Sequence, residues 1–273
     1  MSIDTTILAS TKSDNFFYLL ESSDAPGQAM LVDPVDAQLA IEALEERGLR
    51  LEAILITHWH PDHVAGNAEV LQAHPDAQLI VPLTESSQIE DLTGVKATRE
   101  VKGGDAITFG AHTIAVHDLP GHTMGHVGYE VDGELFLGDV IFSAGVGHCK
   151  SGDVSTLHGT IRKIVEQFSP ELTLYCGHNY AEKNTSFALQ FEPEHEALRT
   201  HLERSRAEPE RTLTPYTLAE ECTYNPFLRT HEPRLIEALK AHDGGTPWSI
   251  HEEQGQSESE TAFKMLRALR DRY

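Results

Sequence analysis

The chain predicts an α+β protein in which layered sheets faced by helices occupy residues 1–179 and a smaller all-helical domain occupies residues 180–273. Three observations carry this. Short apolar runs alternate with helical periodicity in the first hundred residues. Strand and turn signals dominate from about residue 99. After about residue 180 the strand signals stop and helix-start signals take over.

Taken in order, Phe16-Phe17-Tyr18-Leu19-Leu20 and Ala29-Met30-Leu31-Val32 read as strands. Asp36 to Arg47 reads as a helix closed by Gly48, which supplies a C-terminal stop. Leu51 to Ile56 is a buried strand, a helix follows near Ala65 to Ala73, and Leu79-Ile80-Val81 is another short strand. Gly103-Gly104-Asp105 is expected to punctuate a hairpin, and Val131-Asp132-Gly133-Glu134 to turn between Val127–Glu130 and Leu135–Leu137. Leu157, Ile161, Ile164, Val165 and Phe168 give Thr156 to Phe168 a helical apolar face, and Leu172 to Cys176 is a last strand. Beyond it, Pro193 and Pro233 open helices running toward Arg206 and toward a stop at Asp243-Gly244-Gly245. Thr217 and Glu220 have capping-box spacing, and Phe263, Leu266 and Leu269 mark a terminal helix over Ser259 to Tyr273.

A net charge of −22, from 43 acidic and 21 basic residues, disfavours nucleic acid and anionic membranes as partners. An anionic substrate therefore needs a local basic pocket. The three cysteines (Cys149, Cys176, Cys222) are scattered and suggest neither a disulfide framework nor a cysteine-based zinc site, which fits a reducing cytoplasm. The N-terminus lacks the pattern of a signal peptide, and no apolar run is long enough to span a membrane. A cytoplasmic monomer is expected.

The chemistry concentrates in Thr57-His58-Trp59-His60-Pro61-Asp62-His63. Three imidazoles and a carboxylate follow a buried strand, and these are ligand types suited to zinc, iron or manganese. Sixteen histidines make some clustering expected by chance. Three further donors repeat one plan, however: His122 after Gly121, Asp139 after Gly138 and His178 after Gly177, each at the end of an apolar segment. Four crowded donors exceed what one tetrahedral ion uses, so the seven are expected to serve two neighbouring ions.

In this order, His-x-His-x-Asp-His and then His, Asp and His, the chain resembles the metallo-β-lactamase superfamily. The resemblance implies an αββα sandwich. It assigns His58, His60 and His122 to one ion, Asp62, His63 and His178 to the other, and Asp139 to both. Asp62 and Asp139 are the carboxylates it places in catalysis. Ala219-Glu220-Glu221-Cys222-Thr223-Tyr224-Asn225-Pro226-Phe227-Leu228-Arg229 in turn resembles the helical domain of the glyoxalase II (hydroxyacylglutathione hydrolase) family, as do Tyr175 to Tyr180 and Phe136 to Asp139. That likeness covers nearly the whole chain and implies methylglyoxal detoxification through a glutathione thioester, with Tyr180 and Arg229 contacting glutathione. One loop departs: His148 stands where the family carries lysine and Lys150 where it carries tyrosine, both being assigned to substrate binding here.

The expected reaction is hydrolysis of S-(2-hydroxyacyl)glutathione, such as S-D-lactoylglutathione, by a hydroxide bridging two divalent ions, most simply zinc. Metal lowers the pKa of water toward about 7. A thiolate of pKa near 8.5 departs without a general acid. The competing readings are a hydrolase for another acyl-thiol carrier and a persulfide dioxygenase using mononuclear iron. A metallo-β-lactamase proper is opposed by the missing export signal, and a nuclease by the acidic charge. A non-catalytic metal or thiol sensor is a further class.

Overall fold

In the computed structural model, residues 2–207, 215–242 and 247–273 are described. The expected helix stop at Asp243-Gly244-Gly245 falls outside them.

The first sheet runs in the order β1 (Ile3–Ala9), β2 (Phe16–Ser22), β3 (Gln28–Val32), β4 (Arg50–Leu55), β5 (Gln78–Pro82), β6 (Arg99–Val101). Its first three strands are antiparallel and the rest join in parallel, because helices form the crossovers. These helices are α1 (Ala37–Arg47), α2 (Pro61–Val64), α3 (Asn67–Ala73) and α4 (Ser86–Thr93). Gly48 ends α1 in the left-handed conformation, φ 64°, and its N–H satisfies carbonyls of the last turn. The run Phe16 to Leu20 is apolar throughout because both faces are covered: Phe16, Tyr18 and Leu20 enter the inter-sheet core, while Phe17 and Leu19 meet α1 and α3.

The second sheet contains β7 (Ala106–Phe109), β8 (His112–Asp118), β9 (Val127–Val131), β10 (Glu134–Gly138), β13 (Thr173–Cys176) and β14 (Tyr216–Thr217), in the order β14-β13-β10-β9-β8-β7. A separate hairpin, β11 (Ile141–Phe142) with β12 (Gly145–Val146), leaves the end of β10. Helix α5 (Val154–Gln167), capped by Asp153, covers this sheet with Leu157, Ile161 and Ile164. The architecture is the expected αββα sandwich. The turn Asp132-Gly133, with both φ positive, joins β9 to β10 as expected.

Two expectations are corrected. Gly103-Gly104 does not close a hairpin: β6 belongs to the first sheet and β7 to the second, so this turn carries the chain between layers. The hairpin lies one strand later, where Phe109 pairs with His112. Nor do strands stop at residue 180, because β14 returns to pair with β13. Otherwise the C-terminal part is helical: α6 (Ala181–Ala188), α7 (Glu196–Ala207), α8 (Leu218–Tyr224), α9 (Pro233–Ala241) and α10 (Glu258–Arg270). The capping box of Thr217 and Glu220 is formed at α8, and α10 packs on α5 and α9.

Candidate metal centre

All seven predicted donors meet at the carboxyl ends of β4, β10 and β13 and on the loop after β8. Pro61 starts α2 with its preset φ, so His60 stays in the loop while Asp62 and His63 turn inward on the first helical turn. Glycine is required where β10 and β13 end. A Cβ on Gly177 would lie 2.3 Å from Asp139 Oδ1, and one on Gly138, at φ 47°, would lie 2.5 Å from Thr57 Oγ1.

Ligand atoms of His58, His60, His122 and Asp139 lie within 4.8 Å of one another, as do those of Asp62, His63 and His178. Asp139 joins the two sets, with Oδ2 at 3.4 Å from both His122 Nε2 and His178 Nε2, and Oδ1 at 3.3 Å from His63 Nε2.

The outer ring nitrogens show what the inner ones can do. His122 Nδ1 donates to the His148 carbonyl at 2.7 Å, His63 Nδ1 to Asp33 Oδ2 at 2.9 Å, and His178 Nδ1 to Asp14 Oδ1 at 3.0 Å. Thr57 Oγ1 donates to Asp33 at 2.6 Å, so at 3.0 Å from His58 Nδ1 it is left to accept. With Nδ1 protonated, each ring in its neutral form turns the lone pair of Nε2 inward. Those lone pairs face other acceptors: His122 Nε2 and His58 Nε2 stand 2.9 and 3.1 Å from His60 Nδ1. His63 Nε2 and Asp139 Oδ1 are buried without a hydrogen bond. Lone pairs converging on one another fit cations, and outer-nitrogen partners of this kind are what orient metal-binding imidazoles.

Electrostatics agree. Burial pushes His60 and His122 down to about 4, and His58 well below its ordinary value, so these three are neutral donors. Burial also opposes charge on His63, but the Asp139 and Asp33 carboxylates outweigh it and hold that ring up to about 10. His178 is raised by Asp139, Asp14 and Asp62 in the same way. Asp139, though buried, is held well below the carboxylate range by His178 and His63. This half of the site demands positive charge.

Asp62, Asp139, His60, His122 and His178 open on a cavity of about 410 Å³. Of the expected substrate contacts, His148, Lys150 and Tyr180 line it. Tyr180 stacks on His178 with ring centroids 4.9 Å apart and planes within 5°. Arg229 is not brought there. It is buried, and its guanidinium forks Glu192 at 2.9 Å on one side and Glu232 at 3.0 and 2.6 Å on the other, tying the chain after α6 to the start of α9. The cations facing the cavity are instead Lys150, Lys183, Arg267 and Arg270. Arg267 pairs at 2.8 Å with Asp271, which also lines the cavity, so Lys150, Lys183 and Arg270 give the wall its basic character in an acidic chain.

Sequence reasoning missed the residues that hold the ligands. Asp33 follows strand β3 and so shares the strand-then-donor plan, a signal that could have revealed it. Asp14, Asn15 and Ser151 sit in irregular backbone and offered none; Asn15 Nδ2 donates to Asp62 Oδ2 at 3.2 Å, and Ser151 Oγ lies 2.9 Å from His60 Nε2. His126 stacks on His58 at 4.7 Å and accepts the Asp139 N–H at 3.3 Å.

Residues 12–178 match the metallo-beta-lactamase superfamily, and residues 179–273 match the hydroxyacylglutathione hydrolase C-terminus. Fold and site together define a metal-dependent hydrolase of the metallo-β-lactamase class. Within that class the chain belongs to the hydroxyacylglutathione hydrolase family. The hydroxyacylglutathione hydrolase of Methylobacillus flagellatus is 40% identical over 232 residues, covering 84% of this chain and 88% of its own length. That of Vibrio cholerae is 38% identical over 229 residues, covering 83% and 86%. Among solved structures, ETHE1 from Myxococcus xanthus superposes with a TM-score of 0.66 at 21% identity, covering 96% of this chain and 89% of that one. TTHA1623 in a di-iron-bound form gives 0.58 at 22% identity, covering 81% and 99%. At such identities these two show the shared fold alone.

Proposed function

We propose that this enzyme hydrolyses S-(2-hydroxyacyl)glutathione, with S-D-lactoylglutathione as the test substrate, to the 2-hydroxy acid and glutathione. The observation that carries the reading is the convergence of two ligand sets on Asp139, at the floor of a cavity whose wall is basic in a chain of net charge −22. Glutathione is an anionic carrier, and such a wall draws it against the overall field. The family relationship over both domains supports the same reading.

His58, His60 and His122 would hold one divalent ion and Asp62, His63 and His178 a second. Asp139 would serve both, since a carboxylate offers two oxygens and an imidazole one nitrogen. Zinc is the proposed metal; the same ligands accept iron or manganese. Bound there, the ions would lower the pKa of water and polarise the thioester carbonyl. The residues of the chain do the rest. Asp33, Asp14, Thr57 and the His148 carbonyl fix the tautomers. Tyr180 and His148 wall the reacting end, while Lys150, Lys183 and Arg270 receive the carboxylates of the carrier. Burial raises the Tyr180 phenol to about 12 and keeps it neutral. No general acid is required, because the thiolate leaves unaided. A mononuclear iron reading, using His58, His122 and Asp139, would leave His60, Asp62, His63 and His178 unused.

The test is loss of thioester absorbance from S-D-lactoylglutathione, with chelator, without it, and after zinc is restored. Chelator-sensitive cleavage supports the reading. Inert metal-loaded protein overturns it, and cleavage of a different acyl-thiol alone moves the carrier assignment while keeping the site.

A further inference from the structure

Leu218, Glu221 and Tyr224 share one buried face of α8, followed by Asn225 at its C-terminal end. The Glu221 carboxyl is completely buried, and the groups bonded to it are neutral. Its Oε2 accepts from the Ala144 N–H at 3.1 Å and from Asn225 Nδ2 at 2.8 Å, and its Oε1 meets the Tyr224 hydroxyl. A charge so buried without a counterion is costly, and burial pushes this carboxyl up to about 8 against the opposing pull of the Tyr224, Asn225 and Ala144 donors.

Glu221 grips the β11–β12 hairpin directly at Ala144 and indirectly through Asn225. Asn225 Nδ2 also reaches the carbonyls of Gly145 at 3.0 Å and Phe142 at 3.3 Å. Asn184 Nδ2 donates to the Ser143 carbonyl at 3.0 Å, and the Ser143 hydroxyl pairs with His201 Nε2 at 2.6 Å. At the turn, Ala144 has φ 55°, a left-handed conformation unfavourable for alanine that persists only where surrounding structure imposes it. Downstream, the hairpin runs straight into the metal centre. Phe142 and Val146 line the cavity. A Cβ on Gly147 would lie 2.0 Å from the Asp139 carbonyl and 2.7 Å from His122 Nδ1, and the next carbonyl, that of His148, accepts the His122 Nδ1–H.

We propose that Glu221 is a positioning residue for the hydrolase: its buried carboxyl, by holding Ala144 and Asn225, locks the β11–β12 hairpin so that the cavity floor and the His148 carbonyl stand correctly against His122. The helical domain thereby sets the geometry of a metal ligand in the other domain. This rests on the thioester hydrolase reading, for which the metal-loaded wild-type protein is the control. If the wild type does not cleave, that reading fails, whereas the cobalt readout below tests Glu221 independently.

The test compares full-length wild type, Glu221→Gln, Glu221→Ala and Glu221→Asp at a temperature where each is folded. Steady-state kinetics are measured together with Co²⁺ titration followed by visible absorption. Glutamine keeps a carbonyl acceptor at the same reach from the Ala144 N–H, so its kcat and KM are expected within about 2-fold and its cobalt spectrum unchanged in form. Alanine and aspartate, which withdraw the acceptor from Ala144, are expected to lower kcat/KM and cobalt affinity by about 10-fold or more, the scale of lost ligand-orienting contacts, with an altered spectrum. If alanine does not fold, aspartate decides. Wild-type kinetics and spectrum in the aspartate variant, or glutamine as damaging as aspartate, overturn the proposal.

Discussion

Asp33 and His63 are joined by a 2.9 Å hydrogen bond, with the carboxylate accepting the Nδ1–H. The same carboxylate accepts the Thr57 N–H at 2.8 Å and its hydroxyl at 2.6 Å, so one buried acid orients imidazoles in both halves of the metal centre. Asp33 sits at φ 50°, which asparagine also tolerates. Asp33→Asn should therefore fold, yet bind metal about 10–100-fold more weakly. Competition against a chromophoric chelator measures this, and unchanged affinity would separate Asp33 from the site.

Asp139→Ala should abolish loading of two ions, because its Oδ2 stands 3.4 Å from both His122 Nε2 and His178 Nε2, one ligand from each set. The metal-to-protein ratio after dialysis is expected to fall to one or below. Retention of two ions at full occupancy contradicts the shared role of Asp139.

Arg229 and Arg270 should separate stability from recognition. Arg229→Met leaves Glu192 and Glu232 without their partner, and the cost should be about 3 kcal/mol in denaturant unfolding, with KM unchanged in the folded enzyme. Arg270→Ala also removes a 3.0 Å bond to Asn184, so it should cost about 1 kcal/mol in stability, less than Arg229→Met, and raise KM for the glutathione thioester about 10-fold, the scale of one charge-assisted hydrogen bond. A raised KM in the Arg229 variant would return that residue to substrate binding.

His112, at the start of β8 and so at the opposite end of that strand from His122, makes stability depend on pH. Burial opposes its charge, but Asp132 at 2.8 Å from Nδ1 and Asp24 at 3.0 Å from Nε2 outweigh it, so its folded pKa lies above the ordinary 6.5. A folded value above the unfolded one means that the stabilisation is fully present below pH 6.5 and is lost as pH rises through the folded value. The Tm difference between wild type and His112→Gln should shrink accordingly between pH 6 and pH 9. A constant difference would show that the contact is not charge-dependent.

Legibility differed by residue. The seven donors were readable because each follows an apolar strand at short range, and strand ends place their next residues predictably. The β9–β10 turn was readable because Asp132-Gly133 supplies positive φ locally. The Gly103-Gly104 turn was not, since nothing local says whether the next strand pairs with the last one or crosses to another sheet. Arg229 misled for a related reason. A motif places it near the active domain, but its guanidinium is held between Glu232, three residues on, and Glu192, 37 residues away.

By itself, then, the sequence determined sheets faced by helices and a helical second domain, through periodicity and turn chemistry, and it offered seven candidate donors at short spacing; the αββα arrangement was implied by the family resemblance. Tertiary structure alone decided how the lone pairs converge, which acids hold the outer nitrogens, and which cations face the cavity. Those depend on contacts between residues distant in the chain, such as Asp14 with His178 across 164 positions and Asp33 with His63 across 30. Local chemistry selects the ligand types, but only packing aims them.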